Sequence, residues 1–236
     1  NTLVVGSPFH TTEIGDYSGA VYVYDLSSTG DYFSLVTELK PPVVPNSIYN
    51  HGFGKTIAIN GEVLLVGAQE MVYVYHLVNG EWTYKQLLSP DGSNEKFGTD
   101  LDISGDTAVV GAPNSMNADG SVYVYQLQGY PQLGGIWEDQ PRLVGSGIST
   151  LAEFGDAVAI DGNSIAVGAP KDREKTFWAG AAYVFDKIGN DWVSTKLFLA
   201  EPSSYEFFGN EVSKDGDILV ISSMKYEAWI AKPSNS

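Results

Sequence analysis

The chain has 236 residues, 43% of them hydrophobic and 18% charged, with 26 Gly, 14 Tyr and no Cys; this suits one sizeable folded core and excludes a disordered chain, disulfide staples, zinc thiolates and cysteine nucleophiles. A formal net charge of −16 repels nucleic acid and anionic membranes and serves solubility, the other reading being an affinity for divalent cations or basic partners. No apolar run approaches the ~20 residues of a membrane-spanning helix, and no Asn-x-Ser/Thr glycosylation acceptor occurs.

The chain opens at Asn1-Thr2-Leu3-Val4-Val5, which already reads as a strand, so any targeting segment is expected to have been removed or to lie outside these residues. Strand-like runs follow at Val21–Tyr24 and from Phe33. A second unit begins at Phe53-Gly54, turns at Asn60-Gly61, returns to Gly67, and continues through Val72–Tyr75 to a strand starting at Trp82. The third unit shows the pattern best. Phe97-Gly98-Thr99-Asp100-Leu101-Asp102-Ile103 alternates apolar and polar, as a half-buried strand does. Ser104-Gly105-Asp106 is a hairpin turn, expected to need positive φ at both central positions. Ala108–Gly111 returns with both faces apolar, Ser121–Tyr125 is β-branched and aromatic, and a fourth strand runs from Trp137 to Leu143. These are strands A, B, C and D. The fourth unit repeats them from Phe154-Gly155 through Asp161-Gly162, Gly168 and Ala182–Phe185 to Trp192. The fifth has Phe208-Gly209, Asp215-Gly216, Ser222 where a glycine stood, and Glu227–Ile230 as strand C.

Fixed spacings identify a repeat. Seven residues after the glycine of each Phe-Gly stands Gly61, Gly105, Gly162 or Gly216, and six further on stands Gly67, Gly111, Gly168 or Ser222. Four short antiparallel strands per unit, with inner strands apolar on both faces, predict the blades of an all-β propeller, because each blade packs face to face on its neighbours. A sandwich would leave one face polar. The units span roughly 1–40, 53–88, 97–143, 154–198 and 208–232 and are expected to form a single propeller domain, or part of a larger one. The first unit lacks strand A and the last lacks strand D. Either these residues are an excerpt, or another chain supplies the missing strands. The second case predicts self-association by strand addition, and a structural role as the building block of a surface assembly or filament.

Phe-Gly followed by Gly-Ala-Pro, complete at Gly111-Ala112-Pro113 and Gly168-Ala169-Pro170, partial at Gly6-Ser7-Pro8 and Gly67-Ala68-Gln69 and lost at Ile221-Ser222-Ser223, resembles the FG-GAP repeat. That is the unit of the integrin α-chain propeller and of bacterial and algal surface proteins. The resemblance implies an extracellular or cell-surface adhesion or recognition module. Its calcium-binding form places alternating carboxylates between the two motifs. Here that interval is a tight hairpin such as Ile59-Asn60-Gly61-Glu62, too short for the 6–8 oxygens calcium takes, so no cofactor or metal is expected. Asp100, Asp102 and Asp106 read as an ordinary solvated strand edge.

Strand direction puts the B–C and D–A connections at one end of every unit and the A–B and C–D turns at the other. The first end has the long loops, and function tends to sit on loops held by a rigid scaffold. That end offers Phe9, His10, Tyr49, His51, Phe177 and Trp178 as ligand-binding candidates. Such aromatics suit a sugar or a protein partner, or else fold back to cover a sheet edge. Trp82, Trp137 and Trp192 recur at one position of strand D and are assigned to packing between units. His76, where Asp25, Gln126 and Asp186 stand in sister repeats, is expected at the surface. No spacing suggests a catalytic triad or a phosphate loop. A glycoside-cleaving carboxylate pair is the remaining enzymatic alternative, ranked below glycan or protein binding.

Overall fold

The computed structural model describes residues 1–13, 17–42, 52–224 and 229–231. They form antiparallel sheets and two single helical turns, in two compact units. No helix among the described residues is long and apolar enough to cross a membrane.

The first unit comprises residues 1–90 and 129–136. It holds the sheet β1 (Thr2–Ser7), β2 (Ala20–Leu26), β3 (Phe33–Leu39) and the sheet β4 (Thr56–Asn60), β5 (Val63–Ala68), β6 (Met71–Val78), β7 (Glu81–Leu88), each meandering in sequence order. One apolar layer lies between them: Val21, Val23 and Leu39 of the first meet Phe53, Leu64, Val66, Tyr73 and Tyr75 of the second, with Trp82 packed alongside. The second unit comprises residues 91–128 and 137–236. Its sheets are β8 (Leu101–Ser104) to β9 (Thr107–Ala112), β10 (Ser121–Gln128) and β11 (Ile136–Leu143); β12 (Val158–Asp161) to β13 (Ser164–Ala169), β14 (Ala181–Ile188) and β15 (Asp191–Leu197); and β16 (Val212–Asp215), β17 (Ile218–Ile221), β18 (Trp229–Ala231). Val109, Val122, Val124 and Leu143 of one sheet pack on Phe154, Ile165, Val167 and Tyr183 of the next, with Trp192 against them. Burial on both faces thus follows from the apolar runs of strands B and C.

The repeat motif has a physical meaning. Phe53, Phe97, Phe154 and Phe208 are all buried. Phe97 meets Tyr123 of strand C edge to face at 4.9 Å, as Phe53 meets Tyr73 and Phe154 meets Tyr183, the geometry aromatic quadrupoles favour. The next glycine closes its own A–B hairpin: the Gly98 N–H donates to the Gly111 carbonyl, Gly155 to Gly168 and Gly54 to Gly67. Ser222 accepts from Gly209 in the same way. That bond needs only backbone, which is why the last unit keeps it without the glycine. The Gly-Ala-Pro glycine then faces the following sheet. A Cβ on Gly111 would lie 2.0 Å from the Gly155 carbonyl oxygen, and one on Gly168 1.9 Å from that of Gly209.

Four sequence expectations are corrected. The A–B turns are two-residue hairpins, Asn60 pairing with Val63 and Ser104 with Thr107, but only the glycine has positive φ (56° at both Gly61 and Gly105). This is the pattern of a turn that needs glycine at its first central position alone. His76 is fully buried rather than a surface residue. The C–D connection 129–136 is not a tight turn, and its 3₁₀ turn Pro131–Leu133 covers β6, with His76 Nδ1 3.0 Å from the Pro131 carbonyl. Asp100 and Asp102 are not solvated either. Each is half-buried, and their carboxylates accept the backbone N–H groups of Val158 and Ile160 at 2.8 Å on the neighbouring sheet.

Candidate functional site

Each unit presents aromatic side chains on its loops. In the second unit, the loop before β14 and the loop before Phe208 run side by side: Tyr205 N–H donates to the Phe177 carbonyl at 3.0 Å, Phe207 to Trp178 at 3.1 Å and Phe208 to Ala179 at 2.9 Å. This short ladder sets four rings together. Phe177 stacks on Trp178 at 4.6 Å, Tyr205 meets both edge-on at 5.4 and 5.6 Å, and Phe207 lies 5.7 Å from Trp178. Phe177 and Tyr205 are exposed, at 44% and 56%, while Trp178 and Phe207 are half-buried beneath them.

Trp178, Tyr205 and Phe207 all have positive φ (53°, 63° and 52°), a region that bulky residues rarely enter. The same conformation recurs at Tyr17 and Ala118, two before Gly19 and Gly120, and at Leu151 and Glu153 before Phe154. Gly19 bridges to Phe53, Gly120 to Phe154 and Gly180 to Phe208 in parallel. The backbone is therefore a property of the repeat. The Phe177 loop pair carries rings at Trp178, Tyr205 and Phe207, where Ala118, Leu151 and Glu153 stand one repeat earlier.

Charge surrounds the platform. The Lys171 ammonium lies 5.7 Å from the Trp178 ring and the Arg173 guanidinium 5.5 Å from Phe177, within cation–π range. Lys171 pairs with Glu153 at 2.9 Å, and Lys175 with Glu174 at 3.3 Å. Lys196 holds both Asp172 and Glu174 at 2.9 Å. Arg173 makes no ion pair among the described residues, and its Nε and Trp178 Nε1 are both buried without an acceptor.

In the first unit, Phe9 is 76% exposed and Tyr17 61%. With Pro8, Gly52, Lys55 and Gln69 they line a shallow cleft of about 420 Å³. His10 meets Tyr22 edge-on at 6.2 Å, its Nε2 3.9 Å from the Glu38 carboxylate. Tyr49 and His51 lie outside the described residues. The structure thus sets the sequence candidates Phe177 and Trp178 against Tyr205 and Phe207, which the sequence reading did not single out. The available signal was their place, three and one residues before Phe208, where the loop must turn outward. Among the described residues, no group of three His, Asp or Glu could hold a metal ion.

A family model for the FG-GAP repeat matches residues 82–125 and 137–185. Both matches begin at a strand-D tryptophan and end with strand C of the following sheet, so the family's repeat is phased one strand ahead of the sheet. The comparison with curated proteins gave no match.

Proposed function

The chain belongs to the FG-GAP repeat family, and from that premise we propose that it is a non-catalytic recognition module of the β-propeller type. Its sheets act as blades, and their loop-bearing ends hold a glycan or protein ligand at an extracellular or cell-surface location. The observation that carries this reading is the platform of Phe177, Trp178, Tyr205 and Phe207, whose two outer rings stand in solvent on a hydrogen-bonded loop ladder. Rings held rigidly at a loop end give large contact area at little entropic cost on binding. FG-GAP repeats are found in adhesion and recognition proteins, are typical of surface proteins and are typically non-catalytic, which supports the same reading.

The test is a binding screen on immobilised glycans and surface-protein extracts, run with the wild type and with a Phe177→Ala/Tyr205→Ala double variant. A ligand held at micromolar protein and lost in the variant supports the proposal. Release of sugar product from a polysaccharide panel, abolished by substituting one loop carboxylate, would replace it with catalysis.

A further inference from the structure

The charge around the rings points to the kind of ligand. The chain carries 13 Lys and Arg against 29 Asp and Glu, so its mean field repels anions. Yet Lys171, Arg173 and Lys175 crowd into five residues beside the platform. The two lysines are each matched by a glutamate, while Arg173 is not matched among the described residues. A planar guanidinium with no carboxylate partner, set 5.5 Å from an exposed phenyl ring, is a receptor for a planar or tetrahedral anion borne on an apolar face.

Resting on the recognition reading above, we propose that Arg173, Phe177 and Tyr205 form a subsite for an acidic sugar of a polysaccharide. Its pyranose face lies on the rings, and its carboxylate or sulfate pairs with Arg173. A neutral glycan would use the rings and leave the cation idle. A protein partner calls for a patch of roughly 800 Å², whereas of the four rings Phe177 and Tyr205 alone are exposed.

The first unit has the same chemistry independently. Phe9 and Tyr17 line a cleft with Lys55, which makes no ion pair among the described residues. Tyr17 holds the repeat position of Trp178, two before Gly19 as Trp178 is two before Gly180. An exposed ring beside an unmatched cation at the loop end therefore occurs in each unit.

The experiment is calorimetric titration of the whole chain with polygalacturonate, dextran sulfate and neutral dextran at low and physiological salt. The variants are Arg173→Met, which keeps most of the aliphatic stem, Phe177→Ala, and Lys187→Met, a surface cation over Trp192 far along β14. Thermal unfolding of each confirms that it is folded. Expected is binding to one or both anionic polymers and not to dextran, weakened tenfold or more by Arg173→Met and by Phe177→Ala, and unchanged by Lys187→Met. Preference for polygalacturonate assigns a carboxylate, and preference for dextran sulfate a sulfate. Equal binding of dextran, or equal losses in Arg173→Met and Lys187→Met, overturns the acidic-sugar assignment while leaving recognition by the rings intact. Binding untouched by Phe177→Ala overturns both.

Discussion

Asp100 accepts the backbone N–H of Val158 from the neighbouring sheet at 2.8 Å, and its other oxygen accepts the N–H of Leu101 at 2.9 Å. Two residues on, Asp102 does the same with Ile160 and Ile103. Inner strands β8 and β12 are therefore tied by side chains standing in for a ladder. Burial pushes the Asp100 carboxyl up to about 6, outweighing the two N–H donors that favour its charge. The native state then holds a proton that the unfolded chain has already lost, between about pH 4 and 6. Asp100's contribution to stability accordingly falls as pH rises through that window and is level above it. Urea unfolding of the wild type and of Asp100→Asn at several pH values should show the variant gaining on the wild type from about pH 4 to 6, then a plateau. A constant difference would mean that the carboxyl is not desolvated.

Two glycine positions separate steric from conformational demand. Gly162 has φ of 55° and nothing within 4 Å of a Cβ, whereas a Cβ on Gly168 would lie 1.9 Å from a backbone oxygen. Gly162→Ala should cost about 1–2 kcal/mol, the strain of a side chain at positive φ. Gly168→Ala must push two sheets apart and should cost about 3 kcal/mol or more. Equal losses in urea unfolding would contradict the close approach.

His76 donates through Nδ1 to the Pro131 carbonyl, which can only accept. Burial lowers its pKa below the ordinary value. Its folded-state pKa is thus depressed, and the stability it contributes is present above about pH 6.5 and lost as pH falls. Amide exchange in residues 129–136, corrected for intrinsic rate, should speed up between about pH 7 and 5 in the wild type and stay level in His76→Gln. Unchanged protection in the wild type would show that the segment does not depend on neutral His76.

Lys196 is 11% exposed and Asp172 1% exposed, and the same ammonium reaches the Gly147 carbonyl at 2.8 Å. Lys196→Met leaves a buried carboxylate without its cation. We expect a loss of about 3–5 kcal/mol, against less than 1 kcal/mol for an exposed pair such as Lys175 with Glu174. The thermal midpoints of Lys196→Met and Lys175→Met compare them directly.

The strands were legible because their cause is local. Alternating and doubly apolar runs, and glycines at constant offsets, mark A, B, C and D without reference to the rest of the chain. Trp82 and Trp192 of strand D were legible for the same reason, since a large ring recurring at one register packs against the layer between two sheets. What escaped depends on partners remote in sequence. Asp100 looks like a solvated carboxylate until Val158, 58 residues on, is placed beside it. His76 looks exposed until residues 129–136 cover it. Tyr205 and Phe207 meet Phe177 and Trp178 only because their loops are laddered together, and no spacing within either loop encodes that pairing.

The central claim is that ligand is held at the loop-bearing ends, on the rings of the Phe177 loop. The most direct measurement is hydrogen exchange of the whole chain, free and saturated with whichever ligand the binding screen returns. Protection is expected in residues 171–178 and 203–207, and is expected to vanish from both in the Phe177→Ala/Tyr205→Ala variant. Protection confined to the opposite ends, at the hairpin residues 61–62, 105–106, 162–163 and 216–217, would contradict the account.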